Sequence, residues 1–383
     1  MYYANMRGLL VCKLQNLFAC SYSVHIDVMK STFSLVKISL AANQIAQINR
    51  SRQEKMTVAQ LEEKKTGNGS KIKKVRNILL KIIGAIVIAI VLFLGIVYIT
   101  NVISSKSEEK KIEPYGQHVS VDGKNMNVLI QGEGKETIVL LPGFGTATPA
   151  LDFKLLIDEL SPYYKVVAVE PFGYGLSDGT EKERTTENIV GEIHEALQQL
   201  NINSYMLMGH SIAGIYGIDY VSKYPNEVTA FVGIDSSVPT QPGMDVKLPI
   251  KKLEFLKKSG LLRMMMKLGA DPYAELAFDD HTVEQMKMIS YKNMNNDTAL
   301  NEMGHIGSNF KDAQGLTFPK DLPLIFFIQE NNTGVKGWIP LHEEQIKDSV
   351  HGKVITMDGS HYLHHTQFNA IAEGVRSFMK EAK

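Results

Sequence analysis

Short apolar runs recur through the C-terminal part of the chain and predict the strands of a single sheet. The runs are rich in valine, isoleucine and leucine and are bounded by polar or glycine-rich turns, as strands buried on both faces are. They cover residues 137–141, 165–169, 205–208, 228–234, 324–328 and 353–357. Ahead of them, the Asp122-Gly123 pair predicts a hairpin turn within residues 118–130.

Segments with apolar positions at helical spacing separate these runs. The predicted helices cover residues 151–160, 186–200, 340–348 and 368–380. Because strands alternate with helices, the pattern predicts an α/β fold with a mainly parallel, doubly wound sheet. No segment of the chain repeats another.

A longer apolar stretch lies near the N-terminus. Residues 82–103 carry no charged side chain and are long enough to cross a bilayer as a helix. A cluster of basic residues without an acid precedes them, so the positive-inside rule places the N-terminus in the cytoplasm and the C-terminal domain outside. A cleaved signal peptide is disfavoured, because the run is long and no Ala-x-Ala site ends it; a buried core helix is the other alternative. The basic residues are Lys64, Lys65, Lys71, Lys73, Lys74, Arg76 and Lys81.

These patterns divide the chain into five segments. Residues 1–55 hold both cysteines, Cys12 and Cys20, and fit no clear pattern. We expect them to be poorly structured or to be an extension that the natural protein lacks, because Met56 begins a sequence that leads directly into the basic cluster. The other segments are a basic cytoplasmic segment (56–81), a transmembrane helix (82–103), a stalk (104–116) and a globular domain (117–383).

Charge and cysteine content narrow the functional classes. The 41 basic and 41 acidic residues balance, and neither a basic-aromatic patch nor a glycine-rich phosphate loop or dinucleotide fingerprint occurs. These absences argue against nucleic-acid and nucleotide binding. The domain at 117–383 has no cysteine, so it needs no disulfide on the outer side of a membrane.

The chemistry-bearing motif is Gly-His-Ser-Ile-Ala at residues 209–213. It follows the apolar run at 205–208 and opens a helix-compatible stretch, which predicts a strand, a sharp turn and a helix with the serine at the apex. Strand and helix can approach each other only if the residues two before and two after the serine are small, as Gly209 and Ala213 are. Ser211 is therefore the candidate nucleophile.

Two more motifs supply partners for that serine in chain order. The run at 137–141 leads into Pro-Gly-Phe-Gly, where the Phe144 N–H, together with the Ile212 N–H, can stabilise an oxyanion. His361 lies one loop after the last predicted strand, and its imidazole can reach the serine and act as a base.

From about residue 119 to its end, the chain resembles the α/β-hydrolase fold family. Residues 170–177, Glu-Pro-Phe-Gly-Tyr-Gly-Leu-Ser, resemble the loop that follows the family's fourth strand, an acidic residue and then Gly-x-Gly-x-Ser. The order of serine first and histidine last also matches the family. The resemblance implies a catalytic triad whose acid usually follows the seventh strand in a Gly-x-x-Asp loop.

The acid is where the sequence departs from that family. The run at 324–328 leads into Gln-Glu-Asn-Asn, so Asn332 stands at the expected aspartate position. Asp235 ends the run at 228–234, a place that resembles the acid of pancreatic-type lipases, and Glu330 lies two residues before the expected position. The candidates are therefore Asp235 and Glu330, with Asn332 or another group as the remaining alternative.

Residues 240–316 interrupt the strand pattern with a helical one that is rich in methionine. By resemblance this insertion between strands 6 and 7 is a lid over the serine, and flexible methionines suit a pocket for varied apolar groups; packing of lid on core is the alternative. His364 and His365 follow His361 at helical spacing, without the spacing of a metal site. We expect them to support the base or face solvent, and we predict neither a metal nor a cofactor.

The sequence thus predicts a membrane-anchored serine hydrolase that cleaves carboxylic esters of small molecules or lipids through an acyl-enzyme on Ser211. The same fold and residues suit a proline-iminopeptidase-like peptidase or a C–C bond hydrolase, since specificity lies in the lid. A different class, a non-catalytic surface module that binds a ligand, also fits the fold, and Asn332 in place of an aspartate is its main support.

Overall fold

The computed structural model describes residues 68–245 and 247–382. The described chain divides into two units, one that ends at Ile96 and one that begins at Val97. One long helix, α1 (Asn68–Glu109), begins in the first unit and ends in the second. Its segment Ile72–Glu109 is long and apolar enough to cross a membrane, and the most apolar part of that segment is not buried.

Helix α1 (Asn68–Glu109) contains all of the predicted transmembrane residues 82–103. It also continues through the first residues of the segment predicted as a stalk, which is therefore helical as far as Glu109. The predictions for residues 1–55, and for residues 56–67 of the basic segment, lie outside the described residues.

Eight strands form one mixed sheet in the order β1-β2-β4-β3-β5-β6-β7-β8. The β1–β2 and β2–β4 pairs are antiparallel, and the remaining pairs are parallel. The strands are β1 (Gln117–Val121), β2 (Lys124–Gln131), β3 (Thr137–Leu141), β4 (Lys165–Glu170), β5 (Tyr205–His210), β6 (Val228–Ile234), β7 (Leu324–Gln329) and β8 (Gly352–Met357).

Helices connect the strands, and several begin at a residue whose side chain caps the first turn. Thr185 accepts a hydrogen bond from the Asn188 N–H, and Asp279 and Asn296 cap their helices in the same way. The helices are α2 (Pro149–Asp152), α3 (Lys154–Leu160), α4 (Thr186–Gln199), α5 (Ala213–Lys223), α6 (Ile250–Lys258), α7 (Leu261–Leu268), α8 (Asp280–Asn293), α9 (Asp297–Ala313), α10 (Trp338–Ile346), α11 (Leu363–Thr366) and α12 (Phe368–Glu381).

The hydrophobic core lies in two layers, one on each face of the sheet. Alternate side chains of β3 point to opposite layers: Val139 joins the layer under α4 and α5, whereas Leu140 joins the layer under α3 and α12. Both side chains are completely buried. This arrangement explains why the central strands are apolar at every position.

The predicted strands and the opening hairpin agree with the observed ones to within a few residues. The predicted helix over 151–160 is instead two helices, α2 and α3, separated at Phe153. Between β6 and β7 the chain forms the four helices α6 to α9, within the predicted insertion. Because parallel strands end at the same edge of a sheet, the loops after β5, β6, β7 and β8 meet there.

Candidate active site

Ser211 lies on the turn between β5 and α5. Its backbone has a φ of 55°, in the left-handed region that residues other than glycine seldom adopt. The turn is held by the Ser211 N–H, which donates to the Ile234 carbonyl at 3.2 Å, and by its carbonyl, which accepts from the Ser237 N–H at 2.6 Å. Neighbouring segments therefore maintain the strained conformation that presents the hydroxyl.

His361 lies between Ser211 and Asp235. Its Nε2 is 2.8 Å from the Ser211 Oγ, and its Nδ1 is 2.6 Å from an Asp235 carboxylate oxygen. His361 follows β8, whereas Asp235 follows β6 directly, so the three side chains come from three separate loops. With Nδ1 facing a carboxylate, Nε2 is free to accept the serine proton.

The Asp235 carboxylate is completely buried and has further donors. Its other oxygen accepts from the Gln329 backbone N–H at 2.9 Å and from the Trp338 indole N–H at 2.7 Å. Buried charges need such partners, and these donors hold the carboxylate toward His361. Trp338 was missed by sequence reasoning, since nothing in its local pattern links it to a residue 103 positions away.

The other candidate acid, Glu330, and the alternative Asn332 make no hydrogen bond to His361. The Glu330 side chain is exposed, and its backbone N–H donates to the Met357 carbonyl. The Asn332 side chain accepts from the Gly334 and Val335 N–H groups and so closes its own loop. Of the three candidates, the structure brings Asp235 to His361.

The loop after β3 passes beside the serine. A Cβ on Gly143 would lie only 3.1 Å from the Ser211 Cβ and 2.6 Å from His210 Nδ1, so the close approach requires glycine. Within the described residues, neither the Phe144 N–H nor the Ile212 N–H has an acceptor in the protein. Both donors are therefore available to a negative charge that develops next to Ser211.

A buried carboxylate on the inserted helices holds the loop after β3 through a tyrosine. The Gly145 N–H donates to the Tyr174 hydroxyl at 3.2 Å, and Tyr174 in turn donates to Glu302 of α9 at 2.9 Å. Tyr216 of α5 donates to the other Glu302 oxygen at 2.6 Å. Burial raises the pKa of Glu302. Sequence reasoning missed Glu302, because it lies far along the chain from both tyrosines.

A second polar cluster lies behind the site. Asp152 of α2 accepts from His364 Nε2 at 2.7 Å and from His365 Nε2 at 2.8 Å, and all three side chains are buried. Burial lowers the pKa of His364 to about 4. Although burial alone would raise it, the pKa of Asp152 is lowered by its electrostatic interactions and hydrogen bonds with His365 and His364. Both histidines support the loop of His361 rather than face solvent.

The Asp152 cluster is also a group of possible metal ligands among the described residues. Its nitrogen–oxygen distances are those of direct hydrogen bonds, which already satisfy the carboxylate. His210 also contacts the loop that carries His361, because its Nε2 lies 3.0 Å from the His361 carbonyl oxygen. The histidines around the site thus form a packed support for the base.

Comparisons with known proteins agree with this architecture. A family model described as the alpha/beta hydrolase fold matches residues 136–257. Uncharacterized protein YbdG of Bacillus subtilis (strain 168) is 30% identical over 256 residues, which cover 64% of this chain and 78% of that protein. The chain belongs to the α/β hydrolase fold family.

More distant relatives carry hydrolase names. The 2-hydroxy-6-oxo-6-(2'-aminophenyl)hexa-2,4-dienoic acid hydrolase of Metapseudomonas resinovorans is 23% identical and covers 45% of this chain and 58% of that protein. The epoxide hydrolase VrEH1 of Vigna radiata has a TM-score of 0.55 at 20% identity and covers 69% of this chain and 97% of that structure. The structural likeness shows the fold alone, and the hydrolase-named relatives support a hydrolase.

Proposed function

We propose that the protein is a membrane-anchored serine hydrolase that cleaves carboxylic esters through an acyl-enzyme on Ser211. The observation that carries the proposal is the continuous chain Ser211–His361–Asp235, with contacts of 2.8 and 2.6 Å. Nucleophile, base and orienting acid within hydrogen-bond distance are the arrangement that activates a hydroxyl for attack on an acyl carbon.

In the first half of the reaction, His361 Nε2 takes the Ser211 proton as Oγ forms a bond to the ester carbonyl carbon. The carbonyl oxygen becomes an oxyanion, which the Phe144 and Ile212 N–H groups stabilise. Loss of one such donor typically costs about 3–4 kcal/mol of transition-state stabilisation. The protonated imidazole, balanced by Asp235, then gives its proton to the leaving alkoxide as the carbon–oxygen bond breaks.

In the second half, water replaces the alcohol. His361 takes a proton from the water as its oxygen attacks the acyl carbon, and a second tetrahedral oxyanion forms in the same place. Its collapse breaks the bond to Ser211 Oγ, which recovers its proton from His361, and the carboxylic acid leaves.

The inserted helices α6 to α9 act in this proposal as the lid that shapes the acyl pocket. Segment 82–103 is the membrane anchor, with the basic residues before it in the cytoplasm and the hydrolase domain outside. The apolar character of Ile72–Glu109 and the exposure of its most apolar part support the anchor.

Cleavage of a C–C bond is the second candidate. It rests on the Metapseudomonas relative, whose name gives a 2-hydroxy-6-oxo dienoic acid as its substrate. Such a substrate would use the same serine and histidine, so the two candidates differ in substrate rather than in machinery.

The test is hydrolysis of p-nitrophenyl esters, from acetate to palmitate, by the full chain in detergent micelles, with Ser211→Ala as the control. Turnover that disappears in the variant supports the proposal, and the preferred chain length measures the pocket. A fluorophosphonate probe that fails to label Ser211, together with no ester turnover, contradicts it. Labelling without ester turnover favours the C–C bond candidate or a peptidase.

A further inference from the structure

The inserted helices hold the end of α1 through a buried arginine. Arg263 of α7 donates from Nε to the Asn101 side-chain oxygen at 2.7 Å and from a terminal nitrogen to the Ser105 hydroxyl at 2.6 Å, and it forms an ion pair with Glu108. The three partners are spaced by four and three residues, so they lie on one face of α1. The insertion is therefore fixed to the last turns of this helix.

Other contacts make this attachment extensive. Arg263 is 6% exposed and lies 4.9 Å from the centre of the Tyr291 ring. Lys267 pairs with Glu108 at 3.2 Å, and Gln285 of α8 accepts from the Glu113 N–H at 3.0 Å. A desolvated arginine with several hydrogen-bonded partners is costly to separate from them, so this contact resists opening.

The turn between α6 and α7 contacts the end of the apolar run. A Cβ on Gly260, whose φ is 81°, would lie 2.6 Å from the Asn101 Cβ and 3.1 Å from the Val97 carbonyl oxygen. Only glycine permits this approach. Val97 and Asn101 belong to the residues 82–103 proposed as the membrane span, so this turn lies at the level where the span ends.

The exposed face of α6 has the chemistry of a membrane surface contact. Phe255 is 56% exposed, and its helical neighbours Lys251, Lys252 and Lys258 are exposed around it. This helix carries one acidic residue, Glu254, which forms an ion pair with Lys258 at 2.6 Å. An aromatic ring surrounded by lysines suits the boundary between acyl chains and phosphate headgroups.

We propose that this face of α6, formed by Lys251, Lys252, Phe255 and Lys258, lies on the phospholipid surface of the membrane that α1 crosses. The proposal rests on the membrane span of the proposed function. Phe255 enters the acyl boundary, and the lysines contact lipid phosphates. Because Arg263 fixes α7 to the last turns of α1, this contact holds the insertion at the bilayer surface.

The test uses tryptophan fluorescence of the full chain in vesicles of phosphatidylcholine and phosphatidylglycerol. Trp338 is the one tryptophan of the chain and is buried, so it provides the background signal. Phe255→Trp adds a reporter on the proposed surface. Val350→Trp is the matched control, because Val350 is exposed in the loop before β8, at the edge of the sheet opposite the active site.

With lipids brominated on their acyl chains, we expect loss of the emission that Phe255→Trp adds and no loss of the emission that Val350→Trp adds. Vesicle flotation shows, independently of the fluorescence, whether the chain is anchored in the membrane. A chain that floats with the vesicles while the added tryptophan keeps its emission overturns the inference and leaves the anchor standing. A chain that does not float overturns the anchor, and the inference with it.

Discussion

The Asp235 backbone has a φ of 39°, a positive value that residues other than glycine seldom adopt. Strain of this kind persists where surrounding groups determine the conformation. Here the Asp235 N–H donates to the Phe327 carbonyl at 2.7 Å, while the carboxylate accepts from Gln329 and Trp338 and contacts His361. The strained position at the end of β6 therefore coincides with the contact to the proposed base.

We predict that replacing the Asp235 carboxylate by an amide of nearly the same shape greatly lowers the catalytic rate. Asp235→Asn should lower kcat for the preferred p-nitrophenyl ester by about 10⁴-fold, because an amide supports the wrong imidazole tautomer. Glu330→Gln, the matched control, should leave kcat unchanged, since the Glu330 side chain is exposed. Steady-state kinetics of both variants, with circular dichroism to verify folding, provide the measurement. Equal small losses in the two variants would mean that neither carboxylate is the triad acid.

At the scale of elements, the contact between α5 and β6 fixes the helix that follows the serine. Gly217 of α5 faces Phe231 of β6, and a Cβ on this glycine would lie 2.2 Å from a ring carbon. Gly191 of α4 has no atom within 4 Å of its Cβ position. Replacing glycine by alanine would therefore press the added methyl group against a ring in α5 but leave it in open space in α4.

Gly217→Ala should lower the free energy of unfolding by about 1–3 kcal/mol, because the added methyl overpacks the core. Gly191→Ala should raise it by up to about 1 kcal/mol, because alanine is the better helix former. Thermal unfolding of the two variants beside the natural chain, in the same detergent, compares them. Shifts of the same sign in both would contradict the packing of α5 on β6.

The short helix α11 is held by the Asp152 cluster, and this contact depends on pH. The pKa of His364 is lowered to about 4 from an ordinary value of 6.5, because burial disfavours its charged form. Its contribution to stability is therefore complete above about pH 6.5 and is lost as the pH falls toward 4.

His364→Asn removes that titrating group, so the difference in free energy of unfolding between the natural chain and the variant should be largest above pH 6.5. This difference should narrow as the pH is lowered toward 4, by at most about 1.4 kcal/mol per pH unit for one proton. Melting curves at several pH values measure it. A difference that is constant with pH would assign an ordinary pKa to His364.

At the scale of the whole molecule, the proposed orientation in the membrane depends on where the charged residues lie along the chain and not on the net charge. The net charge is zero, yet seven basic residues precede the apolar run without an acid among them. Within the described residues, α1 is the helix that is long and apolar enough to span a bilayer. The charge asymmetry around this helix is what the proposed orientation depends on.

We predict that protease added to right-side-out membrane vesicles digests the hydrolase domain, whereas the domain is protected in inverted vesicles. Replacing Lys71, Lys73, Lys74 and Arg76 by glutamine should shift part of the population to the opposite orientation, because the orienting charge is lost. Immunoblots of digested and undigested vesicles report both results. Protection in right-side-out vesicles of the natural chain would reverse the proposed topology.

The local pattern of the sequence was enough for the strands, the serine turn and the fold family. Buried strands need unbroken apolar runs, and the turn at Ser211 needs small residues beside it, so both leave a mark within a few positions. The apolar helix near the N-terminus is visible for the same reason. These features depend on neighbours in the chain, which the sequence displays directly.

The acid and the supports of the site depend on contacts between distant residues. Asp235 and Glu330 both follow strands that end at the same edge of the sheet, and only the pairing of β6 with β7, and of β7 with β8, places Asp235 beside His361. Likewise, Asp152 meets His364 across 212 positions, and Arg263 meets Asn101 across 162. No local pattern encodes such pairs, because their distance is set by the packing of the whole sheet and its helices.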